Sequence, residues 1–186
     1  MVAWTSLLLP ALASAALVFV ASSVLHMVIR WHNPSYKKLP NEDAVRDAIR
    51  AGSPGPGQYT LPHCVDPKQA NDPAMIRKFE DGPVGVLWLR AAGRTRLGPF
   101  LGSWFVYSLV VGLLVAYVAR IALPAGTHYI TVFRLTGAVA WIAYAWHGPA
   151  DSIWKGKPWS VTLREMVDGL IYGCLTAGAF GWLWPR

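Results

Sequence analysis

The sequence predicts an all-α integral membrane protein: a bundle of four transmembrane helices, both termini outside, with a large cytoplasmic insert after the first helix. Three observations predict it. Apolar residues make up 54% of the 186 positions and mean hydropathy is +0.33, too high for an ordinary soluble domain of this length. Four stretches, residues 4–29, 99–119, 129–147 and 160–184, are long and apolar enough to be read as spans. Finally, 14 of the 17 Lys and Arg residues lie on one side of the resulting topology, in residues 30–98 or around the start of the fourth span. The positive-inside bias makes that side the cytoplasm.

The first span, WTSLLLPALASAALVFVASSVLHMVI, contains Ala13-Ser14-Ala15, which resembles a cleavage site. No basic segment precedes it and the apolar run continues well beyond, so a retained span is expected. Pro10 is placed to kink its outer turn.

Residues 30–98 hold 11 Lys/Arg and seven Asp/Glu. Asn41 is a suitable N-cap for EDAVRDAIRA and Gly52 a suitable stop, with Glu42 and Arg46 spaced to pair. SPGPGQYTLPHC is turn-rich and is expected to be irregular. Asp66-Pro67 and Asp72-Pro73 each read as an N-cap followed by a first helical residue, the second opening PAMIRKFED. VGVLWL, residues 84–89, is too short to span and reads either as an interfacial segment or as a short strand.

The second span carries Ser108, Gly112 and Ala116 at intervals of four. The third runs to His147, and GPADSIWKGKPW is expected to loop into the fourth. Trp159 and Trp184 bracket that last span, where indoles suit the two interfaces. Their separation corresponds to about 38 Å of helix. Thr162 and Glu165 have capping-box spacing. Gly169, Gly173, Ala177 and Gly181 form a slanting small-residue ridge that lets another helix approach closely, either inside the chain or on a partner.

Candidate polar sites follow from depth. Arg164 and Asp168 are spaced i,i+4 and are expected to pair, with Glu165 on the same ridge. An ionisable group inside a span is a functional candidate by default. Arg134 lies about 9 Å inside the outer end of the third span, where it either snorkels to headgroups or meets an anion. His26 and His147 end the first and third spans at similar depth on the cytoplasmic side, and His32, His63, Cys64, Asp151 and Asp168 belong to the same side. These ligand types suit a metal, and two histidines on different helices suit a haem. No CxxC, HxxxH, HExxH, GxSxG or phosphate-loop pattern is present, so neither a recognised metal motif nor a catalytic motif supports an enzyme. The two cysteines, Cys64 and Cys174, are expected to stay reduced and apart.

Three functions therefore compete. The first is a non-enzymatic accessory or scaffold subunit that docks on a membrane partner or a second copy through its small-residue rows. The second is an oligomeric carrier or channel for an ion or small solute using Asp168, Glu165 and Arg164. The third is a haem- or metal-binding redox protein using His26 and His147. Nucleic acid is not an expected partner, because membrane orientation accounts for the basic residues. Short hydrophilic loops and the lack of a targeting peptide suggest a bacterial inner membrane.

Overall fold

A computed structural model describes residues 2–186 and is mostly helical. The chain divides into two compact units. The first comprises Met1–Tyr36, Arg96–Ser152 and Lys157–Arg186, and the second Lys37–Thr95 with Ile153–Gly156.

Four long helices build the first unit. Helix α1, Trp4–Ser23, continues as a π-helical turn over Val24–Ile29 and ends at Arg30 in the left-handed region, φ 56°. A 3-10 turn, Asn33–Ser35, follows. Helix α4 spans Leu97–Ala122, α5 Tyr129–Ala145 and α7 Trp159–Trp182. The α5–α7 contact is the most extensive, followed by α1–α4 and α1–α7. Two helices, Trp4–Ile29 and Leu97–Ala122, are long and apolar enough to cross a membrane. Helix α5 has only 17 residues, and α7 carries Arg164, Glu165 and Asp168 near its start.

Small and polar residues share the interior of this unit with a few large apolar ones, such as Leu7, Val18 and Phe180, and many Leu and Val side chains face outward. Helix α1 buries Leu7, Ala11, Ser14, Ala15, Val18 and Ser22, while Leu8, Leu9, Leu12, Leu17 and Val20 are exposed. Helix α4 buries Ser108, Val111, Gly112, Val115 and Ala116, and exposes Val110, Leu114 and Ile121. Both small-residue rows are used within the chain. A Cβ on Gly112 would stand 2.9 Å from the Ala11 carbonyl oxygen of α1. All four members of the α7 ridge meet α5. A Cβ on Gly169 would reach 2.6 Å from Ala145 Cβ, and one on Gly173 3.1 Å from the Gly137 carbonyl oxygen. Ala177 packs on Gly137, and Gly181 lies under the Tyr129 ring. Two buried hydroxyls turn back to their own helices: Ser14 Oγ donates to Ala11 O at 2.8 Å and Thr136 Oγ1 to Val132 O at 2.7 Å.

The second unit contains α2, Glu42–Ala51, α3, Pro73–Asp81, and an antiparallel pair of β1, Gly57–Leu61, with β2, Gly85–Leu89. No residue of this unit is buried. The turn-rich stretch is thus partly a strand rather than irregular, because VGVLWL supplies its ladder partner. Asp72 caps α3 by accepting from the Ala74 amide at 2.8 Å. Asp66 instead accepts from the Lys68 amide in a turn, with Gln69–Asn71 only a 3-10 segment. Asn41 stands at the N-cap of α2 without a side-chain bond. Arg46 pairs with Asp43 at 3.4 Å, not with Glu42.

Two further corrections concern the approach to α7. The expected loop after α5 contains a helix, α6, Gly148–Lys155. Thr162 and Glu165 do not form a capping box, because α7 starts at Trp159 with Pro158 as its N-cap. The Thr162 hydroxyl lies 2.7 Å from Ser152 Oγ, and Glu165 pairs with Lys157. Both cysteines are free.

Candidate functional site

Asp168 is the centre of the polar region. It sits on α7 beside Gly169, and its closeness to α5 at that point leaves it only 4% exposed. A buried carboxylate needs several donors to offset lost hydration. Its donors come from the chain that follows α1. Trp31 Nε1 donates to Asp168 Oδ1 at 3.1 Å, and His32 Nε2 lies 2.6 Å from Oδ2. His26 Nε2 lies 3.5 Å from the same Oδ2. The His26 and His32 rings stack with centroids 4.5 Å apart.

This convergence depends on the backbone. On an unbroken α-helix, positions six apart point about 240° from one another. The π turn and the left-handed Arg30 reverse the chain, so that His32 returns over His26. A non-glycine residue at positive φ and a π turn are both costly local conformations that concentrate at functional sites.

Beside this cluster is a cavity of about 580 Å³. His26 and Asp168 form part of its wall, with His147 and Glu165. The remaining wall is aromatic: Trp104, Tyr107, Tyr144 and Tyr172. These rings pack against one another at centroid distances of 5.4–6.3 Å. Trp104 is fixed by donating from Nε1 to Ser22 Oγ at 2.7 Å, and Tyr107 by donating to the Ala143 carbonyl at 3.1 Å. The Tyr172 hydroxyl is buried and has no hydrogen-bond partner among the described residues.

The candidates from sequence separate here. Arg164 does not pair with Asp168; its Nη1 donates to Ser35 Oγ at 2.8 Å, since Trp31 and His32 already occupy the carboxylate. Glu165 is engaged by Lys157. Arg134 is exposed on α5, about 15 Å along the helix from Tyr144, and does not join the cluster. His147 borders the cavity, but the second imidazole against Asp168 is His32. His63 and Cys64 belong to the second unit, where His63 lies 3.4 Å from the Thr60 hydroxyl and Cys64 contacts the Asp66 carbonyl. Among the described residues, His26, His32 and Asp168 form the group whose ligand atoms all lie within 4.8 Å of one another.

Trp31 and the aromatic wall escaped the sequence reading. The signal for Tyr172 was its place one turn beyond Asp168 on α7, and for Tyr144 its place one turn before His147. No local pattern points to Trp31, because nothing in the sequence marks Arg30 as left-handed. No protein-family model, curated protein or solved structure matches the chain.

Proposed function

We propose that the chain is a four-span protein of a bacterial inner membrane, with residues 37–95 in the cytoplasm. In this reading it binds a small amphipathic molecule in the cavity beside Asp168. The outward display of Leu and Val on α1 and α4 supports a lipid surround, since in water such a surface would drive aggregation. Helix α5 is about 26 Å long, slightly short of a typical hydrocarbon core, and the short side of a bilayer mismatch is tolerated at modest cost. The charged residues of α7 lie in its first ten positions, toward the side that carries 14 of the 17 basic residues.

One observation carries the binding role: a cavity of ligand size is lined by four aromatic rings and a buried, multiply bonded carboxylate. The rings suit a flat or apolar body, and the Asp168 side suits a polar group. Both small-residue rows pack inside the chain, which favours the binding role over docking of an accessory subunit through those rows. A carrier has little continuous polar path to use, since Arg164 and Glu165 are tied to Ser35 and Lys157.

The test is a small-molecule extract of protein purified gently from its own membranes, read by mass spectrometry. One amphiphile near one per chain is expected in the natural protein, falling at least about fivefold in Trp104→Ala, equivalent to about 1 kcal/mol. The same molecules at the same ratio on both proteins would count against the reading. For orientation, a membrane-impermeant thiol reagent should leave Cys64 unlabelled in intact cells; labelling there would reverse the topology.

A further inference from the structure

We infer that His26, His32 and Asp168 bind one divalent transition-metal ion of the zinc class at the wall of this cavity. The inference deepens the proposed binding role, but its three ligands stand whether or not an amphiphile fills the cavity.

The geometry is close to what an ion requires. Two ligand atoms held 2.0–2.1 Å from a tetrahedral zinc stand roughly 3.3 Å apart. His26 Nε2 and Asp168 Oδ2 are already 3.5 Å apart. His32 Nε2 and the same oxygen, at 2.6 Å, must separate by less than about 1 Å. On binding, the ion takes the place of the proton shared between His32 Nε2 and Asp168 Oδ2, and that proton leaves to solvent.

A simple ion pair explains only part of the cluster. One protonated imidazole would satisfy Asp168, and His32 suffices for that. It does not account for a second imidazole brought to the same carboxylate oxygen; the two rings now stack at 18° to one another, and to aim both Nε2 lone pairs at one ion they must tilt apart as His32 draws back from Asp168. Two protonated rings at that distance repel. Two neutral rings donating lone pairs to one cation do not. The backbone reversal at Val24–Arg30 serves to bring the two rings together.

The surroundings fit as well. Trp31 holds Asp168 Oδ1 and leaves Oδ2 turned to the histidines, an orienting role typical of groups just outside a metal's ligands. Two imidazoles and one carboxylate suit zinc, iron, nickel or copper better than calcium or magnesium. Three protein ligands leave a further coordination position, as in catalytic zinc sites. Because His26 and Asp168 line the cavity, that position faces the proposed amphiphile.

The test uses full-length protein with an affinity tag free of histidine, titrated with Co(II) and followed by its visible d–d absorption. One equivalent is expected to bind. The deciding variant is His26→Gln, because His26 is half exposed and its loss leaves the Trp31 and His32 bonds to Asp168 in place. Affinity should fall at least tenfold in His26→Gln and in His32→Ala, and stay unchanged in His63→Ala. An absent cobalt band in the natural protein, or His26→Gln binding as tightly, would overturn the site. The two readings fail separately. Trp104→Ala removes a cavity wall and leaves all three ligands, so amphiphile loss with cobalt retained isolates the cavity; a natural protein that carries an amphiphile but shows no cobalt band overturns the metal site alone.

Discussion

Helix α7 makes two contacts of opposite kind. Along Gly169, Gly173, Ala177 and Gly181 it meets α5 through small residues, and closeness of approach is the only specificity needed. At Asp168 it meets the chain after α1 through an indole and two imidazoles on one carboxylate. The first contact answers to volume and the second to charge and proton position. Packing needs no histidine, and a structural ion pair needs only one. The surplus of titratable groups at Asp168 is what distinguishes this contact from the seam.

The seam should give the largest effect when broken. Gly173→Leu forces a side chain against the Gly137 carbonyl and the Trp141 backbone and should cost more than about 3 kcal/mol, seen as loss of folded protein in detergent. Gly178→Leu, on the same helix with open space around it, should be tolerated. Equal behaviour of the two would mean that the ridge is not a packing surface.

Asp168→Ala should come next, with an effect on both stability and binding. Leaving the Trp31 and His32 donors unpaired should cost about 1–3 kcal/mol in unfolding, and cobalt binding should vanish. A stability loss with cobalt binding intact would make this contact structural, like the seam. Trp31→Phe should sharpen the contrast. It keeps an aromatic ring and all three ligands but leaves Asp168 Oδ1 without its donor, so affinity for cobalt should weaken about tenfold and unfolding should lose about 1–3 kcal/mol.

The smallest effect separates two idle hydroxyls. Tyr172 and Thr176 both have buried, unpartnered hydroxyls, but only Tyr172 borders the cavity. Thr176→Val should be neutral or slightly stabilising, judged by thermal unfolding. Tyr172→Phe should be equally neutral for folding yet release the bound amphiphile. Release by Thr176→Val instead would place the ligand elsewhere.

The sequence showed the seam because its cause is local. Four small residues at helical spacing announce a close helix contact, and Ser108, Gly112 and Ala116 did the same for α4. The Asp168 centre was half legible. Depth in an apolar stretch marked Asp168, and position at a span end marked His26. The pairing with Arg164 suggested by spacing lost to partners about 136 residues away in sequence, which no local rule reveals. His32 was visible only as a residue on the same side, because the reversal that delivers it runs through Arg30, a residue with no preference for positive φ. The strand β1 was hidden for a similar reason: its ladder partner lies beyond α3.

Native mass spectrometry of protein released gently from its own membranes tests the central claim most directly. The account predicts a chain carrying one metal ion and one small organic molecule, both lost together from Asp168→Ala. A bare chain held at fixed ratio to a second polypeptide would contradict it and return the accessory-subunit reading to first place.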